Sequence, residues 1–363
     1  MPSMNLESLF PDRSSDEPIG RQIMRRLRGA IETGIFEAGS RILPSRELAV
    51  RLGVARNTVT SAIDQLIAEG YLEARLGSGT YVASDIVTTP VVARPTPHSL
   101  PQTAQRYLKV EHTIDGFADR LGALRAGSPD ISEFPNAIWR RLARRSFDRI
   151  SESLDYGSAT GRASLRSAII QHVRQFRGVS ADANQVIVVE GTQAAIRLSV
   201  DVLMNPGDRV LIEDPCYPLV KIIFETQRMH LCPIDVDDLG MKVDNAVDSR
   251  LAYVAPSHNF PLGGTMSLAR RSALLSWARE RNAYILEDDY DSEFSFGTRP
   301  LPALQSLDHW ERVLYIGSFS KTLAPGLRLG YVIVPQHLVE AFRLARIAST
   351  LGGATFLQAI LAE

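Results

Sequence analysis

The stretch of sequence from residue 313 to residue 331 reads Val-Leu-Tyr-Ile-Gly-Ser-Phe-Ser-Lys-Thr-Leu-Ala-Pro-Gly-Leu-Arg-Leu-Gly-Tyr. Its first four residues form an apolar run that is typical of a buried strand, and Lys321 follows shortly after the run ends. Only four of the 40 basic residues in the chain are lysines, at positions 109, 221, 242 and 321. Arginine cannot replace lysine as an amine that loses its proton and condenses with an aldehyde. The pattern therefore favours covalent chemistry at Lys321 over the ordinary alternative, a solvated surface charge.

The sequence around this stretch predicts an α/β fold. Short apolar runs alternate with segments of helical periodicity from about residue 114 to the end, which is typical of βαβ units around a mostly parallel sheet. One of the intervening helices is predicted over Ser267–Arg281. The other candidate strands are Val186–Val189, Arg209–Ile212, Leu251–Ala255, Tyr284–Glu287 and Tyr331–Val334.

A lysine that forms a Schiff base with pyridoxal 5'-phosphate (PLP) requires an acid for the pyridinium nitrogen and donors for the phosphate. Asp288-Asp289-Tyr290 ends one candidate strand, at the edge where open α/β sheets bind ligands. Gly191-Thr192-Gln193 follows another strand and opens a helix whose free N–H groups suit a phosphate. Arg328 offers a bidentate charge contact. Each fragment alone is more often a turn or a solvated carboxylate, so the prediction depends on their combination.

The combination resembles the fold-type I, aspartate-aminotransferase-like PLP proteins. The resemblance extends from about Phe134 to Glu363 and is most specific in Ser318-x-Ser-Lys-x-x-x-Pro-Gly-Leu-Arg-Leu-Gly-Tyr. It implies that Lys321 forms an internal aldimine with PLP. It also implies that Asp288 pairs with the pyridine nitrogen and that Tyr290 bonds the phenolic oxygen of the ring.

The same resemblance implies further cofactor contacts. Asn259 corresponds to an asparagine that also bonds the phenolic oxygen, and Tyr217 to an aromatic residue that stacks on the ring. Tyr156 resembles a tyrosine that reaches the phosphate of the neighbouring subunit, which implies at least a homodimer. The residues implied in phosphate binding are Gly191, Thr192, Gln193, Ser318, Ser320 and Arg328.

The N-terminal region has the pattern of a helix-turn-helix followed by a β-hairpin. Apolar residues recur every four positions in a first helix, Ser45 is predicted to cap a second, and a third begins at about Arg56. The segments 71–76 and 80–82 flank Gly77-Ser78-Gly79 and predict a wing. Periodicity alone leaves open a small helical bundle with a solvated polar face.

Four motifs in this region resemble the winged helix-turn-helix of the GntR family: Leu43-Pro-Ser-Arg-Glu-Leu-Ala, Leu52-Gly-Val-Ala-Arg-Asn-Thr-Val, Glu69-Gly-Tyr-Leu and Gly77-Ser-Gly-Thr-Tyr-Val. The resemblance implies DNA contacts by the arginine after the Pro-Ser pair, by the start of the recognition helix and by the wing. In this chain those residues are Arg46, Arg56, Asn57, Thr58 and Gly77. The two arginines would hold phosphates or read guanine edges.

Composition limits the other possibilities. With 40 basic and 41 acidic residues, the net charge of −1 excludes binding to nucleic acid or membrane through bulk positive charge, though not through a local patch. No secretory signal or membrane-spanning run is visible. The two cysteines, Cys216 and Cys232, are interpreted as reduced, buried thiols, and no His/Cys cluster has metal-ligand spacing. These features predict a cytoplasmic protein without a metal site.

The sequence predicts three regions: a DNA-binding domain over residues 18–84, a proline-bearing linker over 85–113, and an aminotransferase-like domain over 114–363. The last residues, 355–363, continue a helical pattern without a stop signal. We therefore expect the chain to be truncated, without the small C-terminal subdomain. In aminotransferases that subdomain supplies an arginine that clamps the substrate carboxylate.

The joined modules resemble the MocR subfamily of GntR regulators. This implies a transcriptional regulator that binds operator DNA as a homodimer and senses a small amino compound, or PLP itself, through PLP. The alternative is a PLP-dependent aminotransferase with an accessory DNA-binding domain. A third interpretation is a truncated product that binds DNA or dimerises without sensing.

Overall fold

The computed structural model describes residues 9–86, 100–108, 127–294 and 301–363. The chain divides into two units, Met1–Ser99 and Leu100–Glu363. Most of the predicted linker and the start of the predicted third region, residues 114–126, lie outside the described residues. Within the linker range, however, Gln102–Leu108 is helical, and Arg106 donates from Nη1 to the carbonyl of Glu225 at 2.8 Å. This part of the predicted linker is therefore a helix of the second unit.

The N-terminal unit is a winged helix-turn-helix. Its described residues form the helices α1 (Ile19–Glu32), α2 (Ser45–Leu52) and α3 (Arg56–Ala68), followed by the antiparallel strands β1 (Leu72–Arg75) and β2 (Gly79–Val82). The helices pack through the apolar faces that their spacing predicts, because every fourth side chain lies on the same side of a helix. The buried residues of these faces include Ile23, Leu27, Ile31, Leu48, Val59, Ile63 and Leu66.

The start of α2 differs from the prediction. Ser45 is already the first helical residue, Pro44 occupies the N-cap position, and no side chain caps this end. The extended conformation of Pro44 brings the chain into the helix one residue earlier than expected. The hydroxyl of Ser45 therefore does not lie at the position from which a cap accepts the next N–H groups. The other end of α2 is a glycine cap, since Gly53 has a left-handed φ of 64°.

The second unit is built on a mixed sheet. In its described residues the strand order is β3-β10-β9-β8-β7-β4-β5-β6. The run from β9 to β5 is parallel, whereas β10 is antiparallel to both β3 and β9, and β6 is antiparallel to β5 at the edge. The strands are β3 (Val186–Val189), β4 (Arg209–Asp214), β5 (His230–Asp237), β6 (Gly240–Met241), β7 (Leu251–Val254), β8 (Tyr284–Asp289), β9 (Val313–Ser318) and β10 (Gly330–Ile333).

The predicted α/β class is confirmed, and each predicted strand lies within two residues of its expected ends. β5 and β6 were not among the predicted strands. Of the eight residues in β5 only Ile234 is buried, and the strand contains Pro233. A strand near the edge of the sheet lacks the continuous apolar run that marks the central strands.

Helices cover both faces of this sheet. One face carries α7 (Thr192–Leu203), α8 (Pro218–Thr226) and α10 (Val339–Thr350), which contribute to a single apolar cluster with alternate residues of the central strands. On the other face α6 (Ala163–Arg177) and α9 (Leu268–Glu280) pack on the intervening residues. Ser267 caps α9 by accepting from the N–H of Arg270, in agreement with the predicted start of this helix. The remaining helices of the unit are α4 (Gln102–Leu108), α5 (Asn136–Asp148) and α11 (Thr355–Ala362).

Two features are absent from the described part of the chain. None of its helices combines the length and apolar character that crossing a membrane requires. Nor do its histidine, cysteine, aspartate and glutamate side chains form a group suited to a metal ion. Of the two cysteines, Cys216 is buried and Cys232 is half-buried.

Candidate functional site

A cavity of about 720 Å³ lies at the carboxyl edge of the parallel strands. The polypeptide turns away from the sheet there, so side chains from several strand ends converge. Nine of the twelve residues predicted to contact a cofactor line this cavity: Thr192, Gln193, Tyr217, Asp288, Tyr290, Ser318, Ser320, Lys321 and Arg328. The sequence prediction therefore identified residues that the fold brings together from five different segments.

Asp288 forms the buried floor of the cavity at the end of β8. Its Oδ2 accepts a hydrogen bond from the Tyr253 hydroxyl at 2.6 Å. Its Oδ1 is also buried but has no hydrogen-bond partner among the residues that the structure describes. Burial raises the pKa of Asp288 to about 7, the Tyr253 hydroxyl and the Lys321 ammonium oppose this rise, and the nearby Asp289 adds to it. The site thus holds a desolvated carboxylate with one free acceptor.

Lys321 lines the same cavity as that acid and is half-buried. Its Nζ donates to the carbonyl oxygen of Gly127. Burial lowers the pKa of Lys321, while the carboxylates of Asp288 and Asp291 raise it. Desolvation of an amine increases the fraction that is neutral and nucleophilic, so the environment suits condensation with a carbonyl compound.

The part of the cavity lined by Thr192, Gln193 and Arg328 has the features of an anion site. The N-terminus of α7 opens into it at Thr192 and Gln193, and Gly191, just before them, has a left-handed φ of 93°. A Cβ at position 191 would lie 3.5 Å from Nη2 of Arg328, so this guanidinium lies within contact distance of the loop. Free helix N–H groups, hydroxyls and a guanidinium suit a phosphate group.

Two arginines hold the loop before α7. Arg328 donates from Nη2 to the carbonyl of Glu190 at 2.8 Å. The buried Arg346, from α10, binds both carboxylate oxygens of Glu190 at 2.8 and 2.5 Å. The loop that presents the anion-binding N–H groups is therefore fixed through both its main chain and its side chain.

Aromatic residues form the sides of the cavity. The rings of Tyr217 and Phe260 meet edge to face, with centroids 5.8 Å apart. Burial raises the pKa of Tyr217, and a hydrogen bond with Gln193 opposes this rise. Burial also raises the pKa of Tyr290, with the nearby carboxylate of Asp291 adding to it, so this phenol stays protonated. Such walls can hold a flat ring between them.

Three predicted cofactor residues lie outside the lining. Gly191 directly precedes the lining residue Thr192 but does not itself line the cavity. Asn259 is 3% exposed and donates from Nδ2 to the carbonyl of Pro215 at 3.3 Å. Tyr156 is 72% exposed at the surface. The roles expected for Asn259 toward the ring oxygen and for Tyr156 toward a neighbouring subunit stay predictions.

The cavity also contains acids and a loop that the sequence analysis did not identify. Glu213, at the end of β4, accepts from the N–H of Ala255 at 2.9 Å, and burial raises its pKa to about 7. Asp291 lies 2.8 Å from Nδ1 of His258. The loop Gly127–Pro129 also lines the cavity. Glu213 lies four residues before Tyr217, and Asp291 directly follows Tyr290, so both acids stand close in sequence to residues that were predicted.

The DNA-contact residues predicted in the N-terminal unit lie on its surface. Arg46, Arg56, Asn57 and Gly77 are exposed and Thr58 is half-buried. Neither Arg46 nor Arg56 forms an ion pair with any residue in the described ranges, whereas Arg28, Arg51 and Arg75 pair with glutamates. Their charges are therefore available to an external anion. The direct contacts with DNA stay predictions.

The chain matches two family models. Residues 19–82 match the bacterial regulatory proteins of the gntR family, and residues 124–363 match aminotransferase class I and II. Among curated proteins, it is 39% identical over 98% of its length to a probable rhizopine catabolism regulatory protein MocR of Rhizobium meliloti, 73% of which is covered. It is 31% identical over 92% of its length to the pyridoxine biosynthesis transcriptional regulator PdxR of Corynebacterium glutamicum, 69% of which is covered.

A solved structure supports the architecture of the second unit. The α-aminoadipate aminotransferase LysN of Thermus thermophilus, complexed with N-(5'-phosphopyridoxyl)-L-leucine, superposes with a TM-score of 0.64. That likeness has 26% sequence identity and covers 72% of this chain and 68% of LysN. Together with the two family matches and the regulator relatives, it shows that the chain belongs to the MocR subfamily of GntR transcriptional regulators, in which a winged helix-turn-helix is joined to an aminotransferase-like domain.

Proposed function

We propose that this regulator binds PLP through Lys321 and changes its binding to operator DNA when an amino compound, or PLP itself, occupies that site. The observation that carries the proposal is that Asp288 lines the same cavity as Lys321 and that its buried Oδ1 has no hydrogen-bond partner among the described residues. A buried carboxylate oxygen without a partner is costly, and the protonated nitrogen of a pyridine ring satisfies it with a charge-assisted hydrogen bond.

The other groups of PLP also find suitable partners. The dianionic phosphate fits the start of α7, the hydroxyls of Ser318 and Ser320, and Arg328. The protonated phenol of Tyr290 can donate to the phenolic oxygen of the ring, and Tyr217 offers a flat aromatic face. When bound, PLP supplies an aldehyde carbon that can be shared between the lysine and an incoming amine.

The residues of the chain then have distinct tasks. Lys321 supplies the neutral amine, Asp288 holds a proton on the ring nitrogen, and Arg328 anchors the phosphate so that the ring does not leave when the lysine is displaced. An amine that competes with Lys321 changes the contacts made by that lysine, including the one with Gly127. Sensing requires that this change bias how the DNA-binding units of a homodimer engage an operator.

The N-terminal unit supplies the DNA contacts of this proposal. Arg46 and Arg56, which have no ion-pair partner in the described ranges, lie at the start of α2 and of the recognition helix α3. We propose that they hold phosphates or guanine edges of the operator, with Asn57, Thr58 and Gly77 fixing the register.

A second candidate function is transamination. It is favoured by the presence of Lys321, Asp288 and Tyr290 in one cavity, since these groups suffice to hold and protonate a ring that could pass through both half-reactions. Sustained conversion of an amino acid to a keto acid would support the enzyme. An absorbance change with altered operator affinity and no turnover would support the regulator.

The central test is an absorbance spectrum of the purified full chain with PLP, followed by borohydride reduction and peptide mapping. We expect a bound-cofactor band and a reduced label on the peptide that contains Lys321. Lys321→Ala should lose both, whereas Lys242→Ala should keep both, because Lys242 lies outside the cavity and approaches Asp235 at 3.9 Å. A label that persists in Lys321→Ala would refute the assignment.

A further inference from the structure

The strand next to β8 supplies a buried tyrosine to the floor of the cavity. β7 and β8 run parallel, and Tyr253 is paired with Leu286. Because side chains alternate along a strand, Asp288, two residues after Leu286, lies on the same face as Tyr253. The ring of Tyr253 packs edge to face against Phe224 in the apolar cluster, with centroids 6.4 Å apart. Its hydroxyl is held by that packing at the base of the site.

This hydroxyl determines which oxygen of Asp288 remains free. It donates to Oδ2 at 2.6 Å, a short distance typical of a hydrogen bond to a charged acceptor. Tyr253 is 1% exposed, so water cannot take over this bond. Oδ1 is left buried and without a partner in the described chain.

We propose that Tyr253 is a positioning residue for the cofactor: it holds the Asp288 carboxylate as an anion with Oδ1 directed to the ring nitrogen. This inference rests on the proposed function. Tyr253 does not act on the reacting amine. It acts through Asp288, and its effect should depend on the presence of a nitrogen in the ring.

The charges around Asp288 explain why a donor is needed. Burial, Asp289 and Asp291 disfavour its anion, and Lys321 is the cation that acts in the other direction. Burial keeps the pKa of Tyr253 well above its ordinary value, so the phenol remains a donor at neutral pH. Without the hydroxyl, Asp288 would retain its proton more readily and pair less well with a pyridinium.

The chain contains a matched control on the neighbouring strand. Tyr315 of β9 is 2% exposed and donates to Oδ2 of Asp289 at 2.5 Å. Oδ1 of Asp289 also lacks a partner among the described residues, but Asp289 does not line the cavity and already pairs with Arg177 at 2.7 Å. Removal of either tyrosine hydroxyl removes one buried bond to an aspartate, and only one of the two aspartates faces the ligand.

The experiment compares PLP with its 1-deaza analogue, which has a carbon in place of the ring nitrogen. Dissociation constants would be measured by tryptophan fluorescence on the full chain as wild type, Tyr253→Phe and Tyr315→Phe. We expect Tyr253→Phe to weaken the binding of PLP by about tenfold and the binding of the deaza analogue by less than about twofold. Tyr315→Phe should change the affinities for both ligands by the same factor.

The outcomes separate the two proposals. Equal weakening of both ligands by Tyr253→Phe would show that the tyrosine contributes only packing, and would overturn the inference. Failure of the wild type to bind PLP would overturn the proposed function itself. Should Tyr253→Phe not fold, the ¹⁵N chemical shift of ring-labelled PLP on the wild type decides: an unprotonated nitrogen contradicts the inference, and a protonated one supports it.

Discussion

The two faces of strand β8 carry buried acids that have different partners. On one face, Asp289 accepts from Arg177, Tyr315 and Ser292, so a resident cation compensates its charge. On the other, Asp288 accepts from a neutral hydroxyl and lines the cavity, and its second oxygen has no hydrogen-bond partner among the described residues. An acid with its own buried cation contributes to the fold, whereas an acid without one is prepared for a cationic ligand.

The largest expected effect is on stability and concerns the paired face. Asp289→Asn should lower the free energy of unfolding by about 3–5 kcal/mol, because it leaves the buried Arg177 charge uncompensated. Asp288→Asn should not lower it by more than about 1 kcal/mol, since the amide keeps an acceptor for Tyr253 and a neutral group is less costly to bury. Urea denaturation of the ligand-free variants measures both. Equal losses would refute the distinction between the two faces.

The second effect concerns ligand binding, for which Asp288→Asn should have the larger effect of the two variants. Asp288→Asn should weaken PLP by at least about tenfold, because an amide cannot hold a pyridinium as a carboxylate does. Asp289→Asn, assayed at a temperature where it is folded, should retain most of the wild-type affinity because its side chain does not line the cavity. Fluorescence titration with PLP provides both constants. If Asp289→Asn binds PLP more weakly than Asp288→Asn does, the wrong acid has been assigned to the ring nitrogen.

A third effect is the pH dependence of stability. Burial raises the pKa of Asp288 to about 7 from an ordinary value of 3.8, so between these values the native state binds more protons than the unfolded state. The contribution of Asp288 to stability therefore falls as pH rises from about 4 to 7. Asp288→Asn removes this contribution and should flatten the slope by up to about 1.4 kcal/mol per pH unit. Glu213 and Glu287, whose pKa values burial also raises to about 7, should leave part of the slope in place. Identical slopes in wild type and variant would contradict the proposed ionisation of Asp288.

The sequence predicted one class of site residue and did not predict another, for a physical reason. Lys321, Asp288 and Arg328 stand at strand ends or in loops next to glycine and serine, where the local pattern itself indicates chemistry. Tyr253 stands within an apolar strand and has the pattern of a core residue. Its contact with Asp288 depends on the register between β7 and β8, which no local pattern specifies.

The same limit applies to the fold. Buried central strands were predicted within two residues because their apolar runs are continuous. β5 buries only one of its eight residues, and the helix Gln102–Leu108 has no buried residues, so neither has an apolar pattern that marks it. The absence of a side-chain cap at Ser45 depends on the ψ of 141° at Pro44, because the proline ring fixes φ and leaves ψ open.

The smallest expected effect extends the comparison to the arginines of the N-terminal unit. Arg51 pairs with Glu47 at 2.6 Å, whereas Arg56 has no ion-pair partner among the described residues. If an unpaired cation indicates a ligand contact here too, Arg56→Ala should weaken binding to the operator by about threefold to tenfold and Arg51→Ala by less than about twofold.

Salt dependence tests whether that contact is electrostatic. Loss of one phosphate contact should reduce the slope of log K against log salt by about 0.9 for Arg56→Ala and leave it unchanged for Arg51→Ala. Fluorescence anisotropy with a labelled operator at several salt concentrations measures both quantities. If Arg56→Ala weakens the affinity for the operator but leaves the slope unchanged, Arg56 contacts a base edge and not a phosphate. If Arg56→Ala and Arg51→Ala have equal effects, the lack of an ion-pair partner indicates a ligand contact only in the cavity. The exposed arginine and the buried aspartate would then differ because water can satisfy the first and cannot reach the second.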